Sequence, residues 1–237
     1  MMPHELFHSL WKSYPRHFES ALGAGLEDFW SSVHPEDPRL LRHPMVINKP
    51  DWRRRAVPIV IHGDGVRLTQ YGNSLISVQW SCLLSAGWGW EEMFLATAFP
   101  KSVRCFAEVH GHDTWSLLWK YISFSLQAGY DGVFPERDPD GNVWPPDSYQ
   151  QKMASCDIAD GEYVMVLWSI ACDTDFASNE LGIQHHAAAS CCSWCPATLD
   201  DVRDFRETSH WQQHVYSLDF SPPLPGHILF SLPGMTH

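Results

Sequence analysis

The sequence predicts a mixed α/β fold, in which three antiparallel strands are followed by a helix and then by a strand parallel to the first. Two short runs carry most of that expectation. Val57-Pro58-Ile59-Val60-Ile61 and Tyr163-Val164-Met165-Val166-Leu167-Trp168-Ser169-Ile170 are apolar, rich in β-branched residues and too short for buried helices, so both read as central strands. Each run leads into aspartate, the first at Gly63-Asp64-Gly65 and the second at Cys172-Asp173-Thr174-Asp175. Between them, Trp115, Leu118, Trp119, Ile122 and Leu126 recur at helical spacing, which predicts a helix over His112 to Gln127 packed on the sheet.

From the N-terminus, Leu6, Leu10, Tyr14, Phe18, Leu22, Leu26, Phe29 and Trp30 predict two helices within Pro3 to Ser32, broken around Pro15 and loosened at Gly23 and Gly25. Prolines 35, 38, 44 and 50 make His34 to Pro50 an irregular connector, so residues 1–50 read as a helical appendage. The core is expected over 51–184. Within it, Val66 to Thr69 continues the first strand, Tyr71-Gly72-Asn73 is a turn, and Leu75 to Leu84 and Met93 to Phe99 are the next strands. Asp113 and Thr114 suit the start of the helix and Gly129 its stop. Four prolines and the turn signal Asp140-Gly141-Asn142 mark Tyr130 to Asp160 as a surface excursion, and Phe176 to Leu181 has helical character. Residues 185–237 form a Cys/His-containing insertion and C-terminal segment.

A chain of 237 residues is long enough to bury a sizeable core, and 13% aromatic against 19% charged residues is a globular composition. The formal charge of −12 argues against a broadly basic, nucleic-acid-coating surface, so any DNA contact is local. Arg53-Arg54-Arg55, with Lys49 nearby, is the one basic run; it reads either as that contact or as a solvated loop before the strand. Seven cysteines is an odd number and no secretory leader pattern precedes the first helix, so a nuclear or cytoplasmic location is expected and secretion is not. No apolar run is long enough to cross a bilayer, and no membrane partner is expected.

The order strand, strand, strand, helix, strand, helix is that of an RNase H-like domain. In that fold, carboxylates on the first strand and just after the fourth converge at one edge of the sheet, and Asp64 with Asp173 or Asp175 occupies those places. Two convergent carboxylates suit Mg²⁺ or Mn²⁺, which can hold the attacking and leaving oxygens of a phosphodiester. Glycines beside Asp64 leave room for a metal or a phosphate and permit positive φ. The competing readings are a simple Asp-Gly hairpin turn at Asp64 and helix N-capping by Asp173 or Asp175.

The pieces His62-Gly63-Asp64-Gly65-Val66, Cys172-Asp173-Thr174-Asp175 with Leu181-Gly182, and Cys192-Ser193-Trp194-Cys195-Pro196 together resemble the catalytic region of cut-and-paste DDE transposases with a Cys-containing insertion. The resemblance covers roughly residues 55 to 237. It implies that Asp64 is the first catalytic acid and that the second is Asp173 or Asp175, with Asp173 nearer the strand end. It also implies DNA as the partner. The family's third acid lies on a later helix, and this sequence stops at His237 before one; Asp200, Asp201, Asp204, Glu207 and Asp219 are poor substitutes. The expectation is a truncated member with an incomplete active site.

Cys192 and Cys195 have the two-residue gap with which two thiolates grip a tetrahedral Zn²⁺, and His185 or His186 can complete the shell. Reduced buried thiols or a redox pair are the alternatives. His110 and His112 suit a turn entering the helix, and Trp88 and Trp90 lie in a glycine-rich turn with nothing basic adjacent. No Gly-x-Ser-x-Gly elbow is present, which counts against a serine hydrolase despite His62-Gly63. The rival to a nuclease is a non-catalytic, zinc-stabilised interaction module, which needs no third acid.

Overall fold

The computed structural model describes residues 1–34, 49, 51–67, 74–85, 92–106 and 113–179. In chain order these form α1 (Pro3–Ser13), α2 (Pro15–Phe18), a π-helical turn (Glu19–Gly23), α3 (Leu26–Ser32), α4 (Trp52–Arg55), β1 (Ala56–Arg67), β2 (Ser74–Cys82) and β3 (Phe94–Pro100). Then follow α5 (Thr114–Asp131), α6 (Tyr149–Met153), β4 (Val164–Cys172) and α7 (Thr174–Asn179). The break at Pro15 falls where expected, because a proline opens a new helix more readily than it continues one. Gly25, at φ 72°, turns the chain into α3.

The four strands make one open mixed sheet in the order β3-β2-β1-β4. β1 is antiparallel to β2 and parallel to β4, as the two apolar runs led one to expect. Alternation along the strands separates two faces. On one, Ile59 lies opposite Cys82 and Ile61 opposite Trp80, and all four are buried. On the other, Val60 lies opposite Ser81, His62 opposite Gln79 and Asp64 opposite Ser77. The ladder between β1 and β4 shifts after Ile59: Leu167 is its partner, but Val60 pairs with Ser169, leaving Trp168 as the extra residue of a bulge.

α5 covers the apolar face. Its start is capped by Asp113, whose Oδ2 accepts the Ser116 N–H at 3.1 Å. The helix runs past Gly129 and stops at Gly132, φ 78°, whose N–H reaches the Ala128 carbonyl. Gly129 has a different task from the expected stop: a Cβ there would lie 2.5 Å from the Met165 sulfur, so its bare backbone lets the helix lie close on β4. Trp115 of α5 meets Phe99 of β3 and Phe176 of α7 edge-on. At the far end of β1, the Trp30 indole N–H donates to the Ala56 carbonyl at 2.7 Å and its ring packs on Trp52.

The Tyr130 to Asp160 segment is more than a surface excursion. Phe134, Ile158 and Ala159 are buried, and isolated bridges pair Val133 with Asp157 and Arg137 with Val143. It ends in a turn at Ile158–Gly161 in which Ala159 (φ 49°), Asp160 (φ 48°) and Gly161 (φ 74°) are all left-handed, immediately before β4. Among the described residues no helix is long and apolar enough to cross a membrane.

Candidate functional site

β1 places Asp64, and the glycines around it differ from the sequence reading. The strand does not stop at Gly63-Asp64-Gly65; the β2 ladder continues to Arg67 opposite Ser74, so Asp64 is a strand residue and not a hairpin turn. Neither glycine has positive φ. Gly63 is required because the Phe176 ring of α7 occupies the space a side chain would fill, with a built Cβ only 2.3 Å from the nearest ring carbon. Gly65 has open space around it. The glycine ahead of Asp64 therefore seats a helix, not a phosphate.

That helix positions the second aspartate. Phe176 docks α7 onto Gly63, and Asp173 caps the helix by accepting the Phe176 N–H on Oδ1 at 2.6 Å. Gly63 pairs with Cys172 as the last pair of the parallel ladder, so Asp64 and Asp173 are the residues that immediately follow it on two neighbouring chains. The Trp168 bulge sets this level. Without the extra residue, Asp64 would face Cys172 and the two acids would be staggered.

Both carboxylates are exposed. Asp64 has no hydrogen-bond or ion-pair partner among the described residues, and capping leaves Asp173 one carboxylate oxygen. Beside Asp64 is an open cavity of about 280 Å³ lined by His62, Ser77, Gln79, Met93 and Cys172. His62 Nε2 lies 2.9 Å from Ser81 Oγ, which fixes the ring. Partial burial holds the His62 pKa below the usual value, favouring the neutral ring. Cys172 is shifted upward by burial and then by the neighbouring Asp173 charge, so its thiol stays protonated.

The other expected residues are not gathered here. Arg53, Arg54 and Arg55 form α4 at the opposite end of β1, about 26 Å from Asp64 at the rise of an extended strand. Arg53 lies over the Trp52 ring at 4.6 Å from its centroid, and Arg54 pairs with Glu27 at 3.0 Å. Arg55 donates to the Gly161 and Glu162 carbonyls. Asp175 lies in α7, and its side chain, like His185, His186, Cys192 and Cys195, falls outside the described residues. Among the described residues, no three His, Cys, Asp or Glu side chains are grouped to hold a metal ion. Asp64 lines the cavity, whereas Asp173 does not and has one carboxylate oxygen engaged in capping α7.

Ser77 and Gln79 line the cavity beside His62 although the sequence alone gives these two no role. Their signal was the alternation Ser77, Gln79, Ser81 against Val78, Trp80, Cys82, a polar set on one side of an otherwise buried strand. No protein-family model, curated protein or solved structure matches this chain.

Proposed function

We propose that this chain is a transposase-derived, RNase H-like, DNA-binding domain in which Asp64 and Asp173, with Asp175 as the alternate, bind a divalent cation for phosphodiester chemistry. The observation that carries the reading is the parallel register that brings the two acids level on neighbouring chains. A bound Mg²⁺ or Mn²⁺ would polarise a phosphate oxygen and lower the pKa of a coordinated water. Two carboxylates leave most of an octahedral shell to water, which predicts weak binding.

Arg53 and Arg54 remain candidates for DNA contact, since an ion pair as exposed as Arg54–Glu27 opens at little cost. A duplex running along β1 from Asp64 to α4 would cover about 8 base pairs at 3.4 Å per step. Zn²⁺ held by Cys192 and Cys195 with His185 or His186 belongs to the same proposal and would stiffen the C-terminal insertion.

The test is Mn²⁺ binding by the full chain, followed by its paramagnetic signal, with a DNA-nicking assay alongside. Weak binding that Asp64→Asn abolishes, with little nicking, is the expected result. Robust Mg²⁺-dependent cleavage would show that another acid completes the site. Mn²⁺ binding unchanged by Asp64→Asn would remove the metal centre and leave the non-catalytic module. That second reading is favoured by one feature already described, the commitment of Asp173 to capping α7.

A further inference from the structure

The N-terminal helix is held by two histidines buried against the rest of the molecule. Its own sequence is amphipathic, with Phe7 and Leu10 buried beside His4 and His8, which are only 3% and 4% exposed. Four residues apart, the two imidazoles share one face of α1. The helix is closed at its start by Glu5, which accepts the Met2 N–H at 2.8 Å on one oxygen and the Gln150 amide at 2.8 Å on the other.

A hydrogen bond defines the charge state of one ring, and burial favours the same state in the other. His8 Nδ1 lies 3.1 Å from the backbone nitrogen of Ala159. A peptide N–H can only donate, so Nδ1 must be the unprotonated nitrogen and the ring neutral. The group it satisfies belongs to the left-handed turn Ala159-Asp160-Gly161, whose two non-glycine residues are unfavourable in that conformation and need such support. His4 sits on α5: Ser125 Oγ accepts the His4 backbone N–H at 3.0 Å and lies 2.8 Å from Nδ1. Ser125 is itself fully buried. The Ser125 hydroxyl can donate its proton to an unprotonated Nδ1 or accept one from Nδ1–H, so at His4 it is the burial of the ring, 3% exposed, that favours the neutral form.

We propose that α1 is an acid-released latch, docked while His4 and His8 are neutral and detached from α5 and the turn before β4 once they are protonated. The charged groups near the two rings are few. Glu5 and Lys12 are on α1 itself and Asp160 is on the turn, where it also accepts the Trp11 indole N–H at 3.4 Å. Around the rings, α5 contributes Ser125 and Phe124, the segment after it Phe134, and α6 Gln150 and the phenol of Tyr149, none of them charged near neutrality. Burial is the largest influence and holds His4 down at about 4, against the weaker pull of Glu5. His8 is lowered by burial and by Lys12, with Asp160 opposing.

For a histidine whose docked pKa is depressed, the released form binds more protons between the two pKa values. Docking is therefore at full strength above about pH 6.5, the unperturbed value, and weakens as the pH falls toward the docked value. One proton on His4 alone should raise the opening constant of α1 about 50-fold between pH 7 and pH 4.5. His8 adds to this in the same direction. The device is independent of the metal proposal, since neither histidine lies on the sheet.

Hydrogen exchange of residues 3–13 in the full chain, corrected for the intrinsic pH dependence of exchange, reads the latch directly. Residues 56–67 and 74–82 serve as the internal control. Loss of protection in α1 at pH 4.5 with the β1–β2 ladder still protected is expected. In His4→Gln/His8→Gln, an amide oxygen can accept the Ala159 N–H without titrating, and the pH response should vanish. Unchanged protection of wild-type α1, simultaneous opening of the sheet, or a double variant that keeps the wild-type response would overturn the proposal. A variant that does not fold leaves the wild-type protein to decide by its imidazole resonances: titration of His4 and His8 well below 6.5 supports the latch, and ordinary values for both refute it.

Discussion

The two faces of the sheet are written in the same strands and do different work. Toward α5, β2 presents Ile76, Val78, Trp80 and Cys82, all buried and matched by Gly65, Gly63, Ile61 and Ile59 of β1. Toward the opposite side, the same stretch presents Ser77, Gln79 and Ser81, matched by Asp64, His62 and Val60. One face supplies most of the hydrophobic driving force, while the other is mixed, with Val60 and Ser81 buried and His62, Asp64, Ser77 and Gln79 gathered around a cavity. On β2, substitutions at Ile76, Val78, Trp80 and Cys82 should therefore cost more than one at the half-buried Gln79 between them.

The largest effect should come from Trp80→Ala. The ring is fully buried against Phe94, and its removal should cost about 4 kcal/mol in urea unfolding, against less than about 0.5 for its neighbour in Gln79→Ala. Equal losses at the two positions would mean the faces are not distinct. Gly63→Val comes next, at about 3 kcal/mol, because the Phe176 ring already fills that space. This variant should also move α7 and with it Asp173, so Mn²⁺ affinity should fall along with stability.

Asp173→Ala should destabilise by about 1 kcal/mol, the worth of an N-cap. Asp64→Asn should change stability by less than about 0.5 kcal/mol, because its carboxylate is exposed and forms no bond among the described residues. Thermal unfolding of the pair separates the acid that also builds structure from the one that does not. Smallest of all should be Gly65→Ala, where a methyl group meets nothing within 4 Å and φ is ordinary. A midpoint within error of wild type would set Gly65 apart from Gly63 only two residues away.

The sheet was legible because its signals are local. Val57 to Ile61 and Tyr163 to Ile170 have the composition of buried strands, and polar residues alternate cleanly along β2. What escaped reading depends on packing between distant segments. Nothing near Gly63 announces that Phe176 will lie on it, so the glycine looked like a turn or a ligand cradle. The prolines of the Tyr130 to Asp160 segment outweighed Phe134 and Ile158, single apolar residues without a period that nevertheless anchor it. The arginine run was visible as charge, but its bonds to Glu27, Gly161 and Glu162 are long-range. His4 and His8 share the helical spacing of the apolar residues of α1, but an imidazole carries no apolar signal in the sequence that would mark it as buried.

The parallel pairing of β1 with β4 has a consequence for the order in which the molecule assembles. β1, β2 and β3 are joined by short connections and can zip together early, whereas Gly63 and Cys172 meet across about 100 residues of intervening chain. Asp173 thus reaches Asp64 only after that long loop has closed. Until then the β1 edge, with its run of valine and isoleucine, is open to strands of other molecules. Refolding at high protein concentration should accordingly lose material to aggregation before β4 pairs with β1.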